Sequence, residues 1–130
     1  MIVGTGLREY CRWETFSASC PLDEVIVIRS ALYGRMRSGR CLMTAQDGGS
    51  HVGCKANVIR QADRLCSGRR TCDVQLPEHS FDDVESTCPR RRDLSLYLEV
   101  IYECLPGTAW RRCKCREKTR IERVFSVFSC

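Results

Sequence analysis

The sequence predicts one disulfide-stapled domain of the α/β (α+β) class. Its 130 residues are the length of a single domain with a modest core. Eleven of them are cysteine, a density typical of small domains that are cross-linked in an oxidising compartment. Several runs with strand character surround one stretch with helical periodicity, so strands packed with one main helix are expected.

The first half of the chain contains two runs with the composition of β-strands. Residues 13–19 are rich in aromatic and β-tolerant side chains, which favours a first strand. Residues 24–33 form a β-branched run between Pro21 and Gly34, apolar on both faces at its start, as expected of a central strand. The Tyr33-Gly34-Arg35 tripeptide at its end has two readings, a turn that ends the strand or part of a binding site.

The middle of the chain combines a loop with the main helix. Residues 39–54 contain Asp-Gly-Gly and few large apolar side chains, so they are predicted to form a loop. In residues 55–66, Val58, Ala62 and Leu65 recur at helical spacing, which predicts an amphipathic helix with these side chains in the core. The outward face of this helix carries Arg60, Gln61 and Arg64.

The last part of the domain is predicted to return to β-structure. Residues 67–70 break the helix, and residues 71–76 form a short strand. Residues 77–87 are predicted to be a polar loop. Residues 94–104 alternate between two faces and predict the strand that closes the domain. One face of that strand carries Leu94, Leu96, Leu98, Val100 and Tyr102.

We divide the chain into an N-terminal extension (1–10), a domain (11–104) and a basic C-terminal tail (105–130). The tail carries seven Lys or Arg and two Glu, whereas the rest of the chain carries fourteen of each sign. The domain therefore gives no electrostatic reason to expect a nucleic-acid partner. The tail has three readings: a linker, the start of another module, or an unstructured segment. Its Cys113-Lys114-Cys115 has no matching Cys or His pair nearby, which favours disulfides or disorder over a metal site.

The cysteine content indicates an extracellular or cell-surface location, because disulfides persist in oxidising compartments. Residues 1–10 lack the basic start and long apolar stretch of a signal peptide. We therefore expect the chain to be a mature fragment or to carry a misassigned first exon. Apolar runs such as residues 25–28 fall far short of the roughly 20 residues that a membrane span requires.

Enzymatic function is disfavoured by the sequence. The two histidines, His51 and His79, both lie in polar segments, and no nucleophile elbow, P-loop or zinc-protease motif occurs. Disulfide bonding of the cysteines in the domain would leave none of them as a nucleophile. We expect no cofactor and no obligatory metal.

Eight cysteines lie in the predicted domain, and their even number indicates a closed disulfide framework. Spacing alone leaves many pairings open. Only Cys66 and Cys72, separated by a short loop that contains a glycine, suggest a local pair. The eight are Cys11, Cys20, Cys41, Cys54, Cys66, Cys72, Cys88 and Cys104.

Several blocks in order resemble the sea-urchin-egg-lectin (SUEL) type of galactose/rhamnose-binding domain, which also occurs in latrophilins and fish-egg lectins. These blocks are SCPLDEVIVIRSALYGR, CSGRRTC and CPRRRDLSLYLEVIYEC, and the resemblance covers residues 11–104. It implies a compact fold with antiparallel sheets and a long helix. It also implies the disulfides Cys11–Cys41, Cys20–Cys104, Cys54–Cys88 and Cys66–Cys72.

The resemblance also implies a sugar site, of which this chain keeps part. Tyr33, Gly34 and Arg35 match the family's Tyr-Gly-Arg, although Leu32 replaces the asparagine that precedes the tyrosine. The family places an acid directly after the first cysteine, where this chain has Arg12. Glu14 is the nearest carboxylate, and in a strand it would point to the same side as Arg12.

The second half of the implied site is also changed. The family's Asp just before the seventh cysteine is replaced by displaced carboxylates, of which Asp83 and Glu85 are the candidates, with Asp82 beside them. The family's lysine position becomes Leu96. Nearby arginines can supply hydrogen-bond donors instead. They are Arg90, Arg91 and Arg92.

We therefore expect a non-catalytic module that binds galactoside- or rhamnose-like sugars, with glycans or glycoproteins as partners. The alternative is a protein–protein adhesion module on the same scaffold with a degraded sugar site. A smaller possibility is that the tail and residues 90–92 bind anionic polysaccharide.

Overall fold

Two antiparallel β-sheets and short helices form the structure, a computed structural model that describes residues 7–42, 52–90 and 94–111. A four-stranded sheet has the order β1-β6-β3-β4, and a two-stranded sheet pairs β2 with β5. The predicted α+β class with disulfides is confirmed. The elements are β1 (Arg8–Tyr10), β2 (Thr15–Ser19), β3 (Glu24–Arg35), β4 (Cys54–Asn57), α1 (Ile59–Cys66), β5 (Thr71–Gln75), α2 (His79–Asp82) and β6 (Tyr97–Pro106).

Strand β3 is the centre of the larger sheet, as its β-branched run predicts. It pairs with β6 from Glu24 opposite Pro106 to Gly34 opposite Tyr97, and with β4 at its C-terminal end. Its apolar centre is fully buried. The strand continues through Arg35, so the reading of Tyr33-Gly34-Arg35 as a strand-ending turn is wrong. The tripeptide lies between two neighbouring strands, and their hydrogen bonds keep it extended.

The main helix begins later than its periodicity suggests. Residues 54–57 form β4, and the helix α1 starts at Ile59. Lys55, Ala56, Asn57 and Val58 are exposed, buried, exposed and buried in turn. This period of two is typical of a β-strand and not of a helix. The core face of α1 is as predicted at Ala62, which is buried. The helix packs on β3 and β5 and covers the core between the sheets.

The predicted polar loop at residues 77–87 contains structure that its composition does not indicate. Four of its residues form α2, and Glu78 caps this helix by accepting a hydrogen bond from the Ser80 backbone N–H at 2.8 Å. Phe81 is 2% exposed, and its ring centroid lies 5.4 Å from that of Tyr33. The loop assignment was wrong because one buried aromatic residue anchors an otherwise polar segment to the core.

Within the described residues, four disulfides cross-link the fold, and they are the four pairs that the resemblance implies. The Cys20–Cys104 bond connects the chain after β2 to β6, and Cys66–Cys72 connects α1 to β5. Cys54–Cys88 ties β4 to the segment after α2. Cys11–Cys41 joins the chain before β2 to the segment after β3. Three of these four bonds therefore have at least one end in a strand or helix.

Both ends of the described chain pack on the domain. Strand β1, which lies within the segment 1–10 that we separate as an extension, pairs with β6 at the sheet edge. Residues 107–111 are helical, and the Gly107 backbone N–H donates to the Asp23 carbonyl at 2.9 Å. The expectations for the remaining tail, including its cysteines, and for most of the loop at 39–54 fall outside the described residues.

The approach of β4 to β3 predicts a strict requirement for glycine at position 34. A Cβ there would lie 2.5 Å from the Cys54 carbonyl oxygen and 2.6 Å from the Lys55 Cα, both backbone atoms. We expect Gly34→Ala to lower the free energy of unfolding by about 1–3 kcal/mol, because the strands must separate to admit the methyl group. Urea denaturation of the oxidised protein measures this change.

The control for this substitution is Gly39→Ala, since an added Cβ at Gly39 meets nothing within 4 Å. Equal stability of the two variants would contradict the steric argument.

Candidate functional site

An open groove of about 660 Å³ lies where β3, β4, α2 and the segment before β6 meet. This volume is in the range of small-molecule sites. The groove combines an apolar surface with a few polar groups, which is the composition that binds ligands carrying both hydroxyl and C–H surfaces. Its polar side chains are Arg12, Tyr33, Asp82, Ser86 and Arg90. The main apolar ones are Pro77, Phe81, Val84, Leu94 and Leu96.

Tyr33 is the predicted site residue that lines the groove. Its side chain is largely enclosed, with 5% of the residue exposed, and its ring packs against Phe81. The pKa of Tyr33 is raised to about 12: burial is the largest cause, the negative charge of Asp82 adds to it, and the positive charge of Arg12 opposes both. The phenol is therefore neutral at physiological pH and able to donate as well as accept a hydrogen bond.

Gly34 and Arg35 build the groove but are not among the described residues that line it. Gly34 admits the backbone of β4, which brings Ala56 to the groove beside Tyr33. Arg35 is fully buried, and its Nη1 donates to the Ser95 carbonyl at 2.7 Å. This bond holds the segment that carries the groove residues before β6, so the arginine acts on the groove through the backbone.

Glu14 lies in a turn, because the strand predicted over residues 13–19 is β2, which begins at Thr15. The expectation that a strand would put Glu14 and Arg12 on the same side is therefore wrong. The Glu14 carboxylate accepts from the Cys11 backbone N–H at 2.7 Å and from Arg40 at 2.8 and 3.1 Å. The Arg40 hydrogen bonds lower the pKa of Glu14, and the Cys11 N–H lowers it further. Of the two residues, Arg12 lines the groove and Glu14 does not.

The acidic residues at the end of α2 and just after it contribute one carboxylate to the groove. Asp82, Asp83 and Glu85 are all exposed, but Asp82, the last residue of α2, lines the groove and the other two do not. Within the described ranges, no side chain or backbone donor binds the Asp82 carboxylate. A weak signal for this arrangement is present in the sequence, since Phe81 is the large aromatic residue of the segment and Asp82 follows it directly.

Sequence reasoning missed that Arg12 and Ser86 would line the groove. Leu96 does lie there, at the position where the family resemblance places a lysine. Arg90 also reaches the groove, while the arginines at 91 and 92 lie outside the described residues. Two guanidinium groups, one carboxylate and the Tyr33 phenol thus line the same groove, so donors and acceptors are both present.

The comparison with known proteins gives this arrangement a family. Residues 18–104 match the family described as the D-galactoside/L-rhamnose binding SUEL lectin domain, which is more than half of the chain. The chain belongs to the SUEL lectin domain family. The match begins in β2 and ends in β6, so it includes β3, α1, α2 and three of the four disulfides in full.

Two relatives of this chain differ in how much of their own length they share with it. The D-galactoside-specific lectin of Heliocidaris crassispina is 30% identical over 95 residues, which are 72% of this chain and 85% of that protein. Protein eva-1 of Caenorhabditis elegans is 29% identical over 111 residues, which are 74% of this chain and 23% of that protein. The chain thus corresponds to nearly the whole of one relative and to a small part of the other.

Residues 7–42, 52–90 and 94–111 show neither a candidate metal site nor a helix that could span a membrane. They contain no group of three or more His, Cys, Asp or Glu placed to hold a metal ion. None of the helices in these ranges has the length and apolar character of a membrane span.

The environment of Tyr33 predicts a pH-dependent contribution to stability. The folded protein binds the phenol proton more tightly than the unfolded chain, whose tyrosine has an ordinary pKa of 10.0. This contribution is fully present below the unfolded pKa and is lost as the pH rises through 10 toward about 12. Urea unfolding of wild type and Tyr33→Phe should therefore show a difference in unfolding free energy that changes only above about pH 10.

Absorbance titration of the phenolate provides the second measurement. The difference between the wild-type and Tyr33→Phe curves should be a single group that ionises near pH 12. A difference curve centred near pH 10 would show that Tyr33 is solvated and would contradict its enclosure in the groove.

Proposed function

We propose that this chain is a non-catalytic, extracellular carbohydrate-binding module that holds a terminal D-galactoside- or L-rhamnose-like sugar in the groove. The observation that carries the proposal is the groove itself. It brings Tyr33, Asp82 and two arginines around an apolar surface, within a fold that belongs to the SUEL lectin family. The galactoside specificity in the name of the Heliocidaris relative supports the sugar class.

The groove residues match what a sugar requires. Each hydroxyl of a sugar both donates and accepts, so a site needs an acceptor and donors close together. Asp82 supplies the acceptor, Arg12 and Arg90 supply charged donors, and the Tyr33 phenol serves either role. The apolar side chains, among them Phe81, face the C–H surface of the sugar ring. Binding and orientation need no further chemistry, which supports a lectin without a catalytic step.

The extracellular location rests on the disulfides. Of the four bonds among the described residues, three join segments that are 30 to 84 residues apart in the sequence, and the fourth closes a short loop with a separation of 6. Such a framework forms and persists in oxidising compartments. Glycans and glycoproteins on cell surfaces are therefore the partners that the groove is placed to meet.

A protein–protein adhesion module on the same scaffold is the second candidate. It is favoured by the apolar lining of the groove and by Arg12 and Leu96, which stand where the family resemblance places an acid and a lysine. The match to a small part of Protein eva-1 supports a module that works within a larger protein. Sugar binding separates the two candidates.

The Asp82 carboxylate gives the sharpest test of the sugar site. We expect Asp82→Asn to weaken binding of methyl β-galactoside or methyl α-rhamnoside about tenfold or more, because a hydrogen bond to a charged group contributes about 1.5–3 kcal/mol. Isothermal titration calorimetry or ligand-observed NMR with millimolar sugar measures the change.

Asp83→Asn is the matched control, since it removes the adjacent carboxylate, which is exposed and outside the groove. Equal losses in the two variants would contradict the groove as the site. No binding by the oxidised wild-type protein, to these sugars or on a broad glycan array, would reject the lectin proposal and leave the adhesion module.

A further inference from the structure

Trp13 is displayed at the surface in an unfavourable backbone conformation. It is 67% exposed, whereas Phe16, Phe81 and Tyr97 are buried. Its φ is 74°, in the left-handed region that bulky residues rarely adopt. Burial of the indole does not offset this conformation, because most of the side chain remains in solvent. A residue that is held in such a conformation, with little burial of its side chain to compensate for the strain, indicates a functional site.

The turn that carries Trp13 is fixed from several directions. The Glu14 backbone N–H donates to the Cys11 carbonyl at 3.0 Å, and the Glu14 carboxylate accepts from the Cys11 N–H. Arg40 binds this carboxylate and also donates to the Glu9 carbonyl at 2.6 Å. The Cys11–Cys41 disulfide ties the turn to the segment after β3. The position of Trp13 is thus determined by its surroundings and is held before any ligand arrives.

Arg12 connects the indole to the groove. Its side chain lines the groove, and its guanidinium carbon lies 4.8 Å from the centroid of the Trp13 ring. This distance is within the range of a cation–π contact, and it places the indole next to a residue of the groove. The exposed indole of Trp13 therefore lies directly beside Arg12, a residue that lines the groove. An exposed aromatic ring beside a groove offers a large apolar face at low entropic cost, which suits the C–H face of a second sugar ring.

We propose that Trp13 forms a second sugar subsite at the rim of the groove, so that the chain recognises a glycan of at least two sugar units. This inference rests on the proposed lectin function and names its ligand class more closely. The terminal sugar lies in the groove, and the neutral ring linked to it stacks on the indole. The groove volume, in the range for ligands of drug-like size, suits an occupant larger than one sugar.

The test compares one sugar with two. Methyl β-galactoside, lactose and melibiose are titrated into wild type and Trp13→Gly by calorimetry. Glycine adopts a positive φ readily, so this variant keeps the turn and should unfold at the same or higher urea concentration. We expect at least one disaccharide to bind wild type about fivefold or more tightly than the methyl glycoside. In Trp13→Gly that preference should disappear while the affinity for the methyl glycoside is unchanged.

Leu22→Ala is the control for removing an exposed apolar side chain, because Leu22 is 73% exposed and does not line the groove. It should keep the preference for the disaccharide. Equal affinities of wild type for methyl glycoside and disaccharides, or a preference that survives in Trp13→Gly, would overturn the subsite and leave the lectin function intact. A Trp13→Gly protein that is less stable and weakened for all sugars alike would show a structural role and would also overturn it. Failure of wild type to bind any of the sugars would overturn both proposals together.

Discussion

The groove exists because the backbone of β4 lies against Gly34, closer than any other residue at that position would allow. This contact places Ala56 beside Tyr33. It also sets the position of the end of β4, from which the chain continues into α1. From β4, the Cys54–Cys88 disulfide reaches the segment that follows α2 and holds it over the end of β3. One side of the groove is thus a consequence of a missing side chain and one covalent bond.

The other side of the groove depends on charges that are buried within the larger sheet. Arg35 is fully buried and donates to the Ser95 carbonyl, while Glu99 is held by Arg37 and by the Tyr97 hydroxyl. Buried charges are costly unless their hydrogen bonds are made, so these groups restrict the chain to the register in which their partners meet. The register of β6 then determines which side chains of the preceding segment face the groove.

The sequence identified the central strand, the fold class and the family, because these depend on long patterns: a β-branched run, many cysteines and several ordered blocks. It was less informative where few residues decide the structure. Four residues of β4 were absorbed into the helix, and the buried Phe81 was hidden in a polar segment. Of the residues expected to form the sugar site, Tyr33 lines the groove. Glu14 does not, because its carboxylate binds Arg40 in a turn. Arg40 is distant from Glu14 in the sequence, so no local sequence pattern indicates this pairing.

The lengths of the edge strands of the larger sheet affect how readily neighbouring copies of the domain can associate through their sheets. Its outer strands, β1 and β4, are three and four residues long, whereas the inner strands β3 and β6 have twelve and ten. An edge strand offers unpaired backbone groups to any other chain, and a short one offers few. The long strands pair with each other, and each is also paired on its other side over part of its length, β3 by β4 and β6 by β1. Copies of such a domain can therefore lie close together, or be repeated along one polypeptide, with short edge strands as the outer strands of the larger sheet.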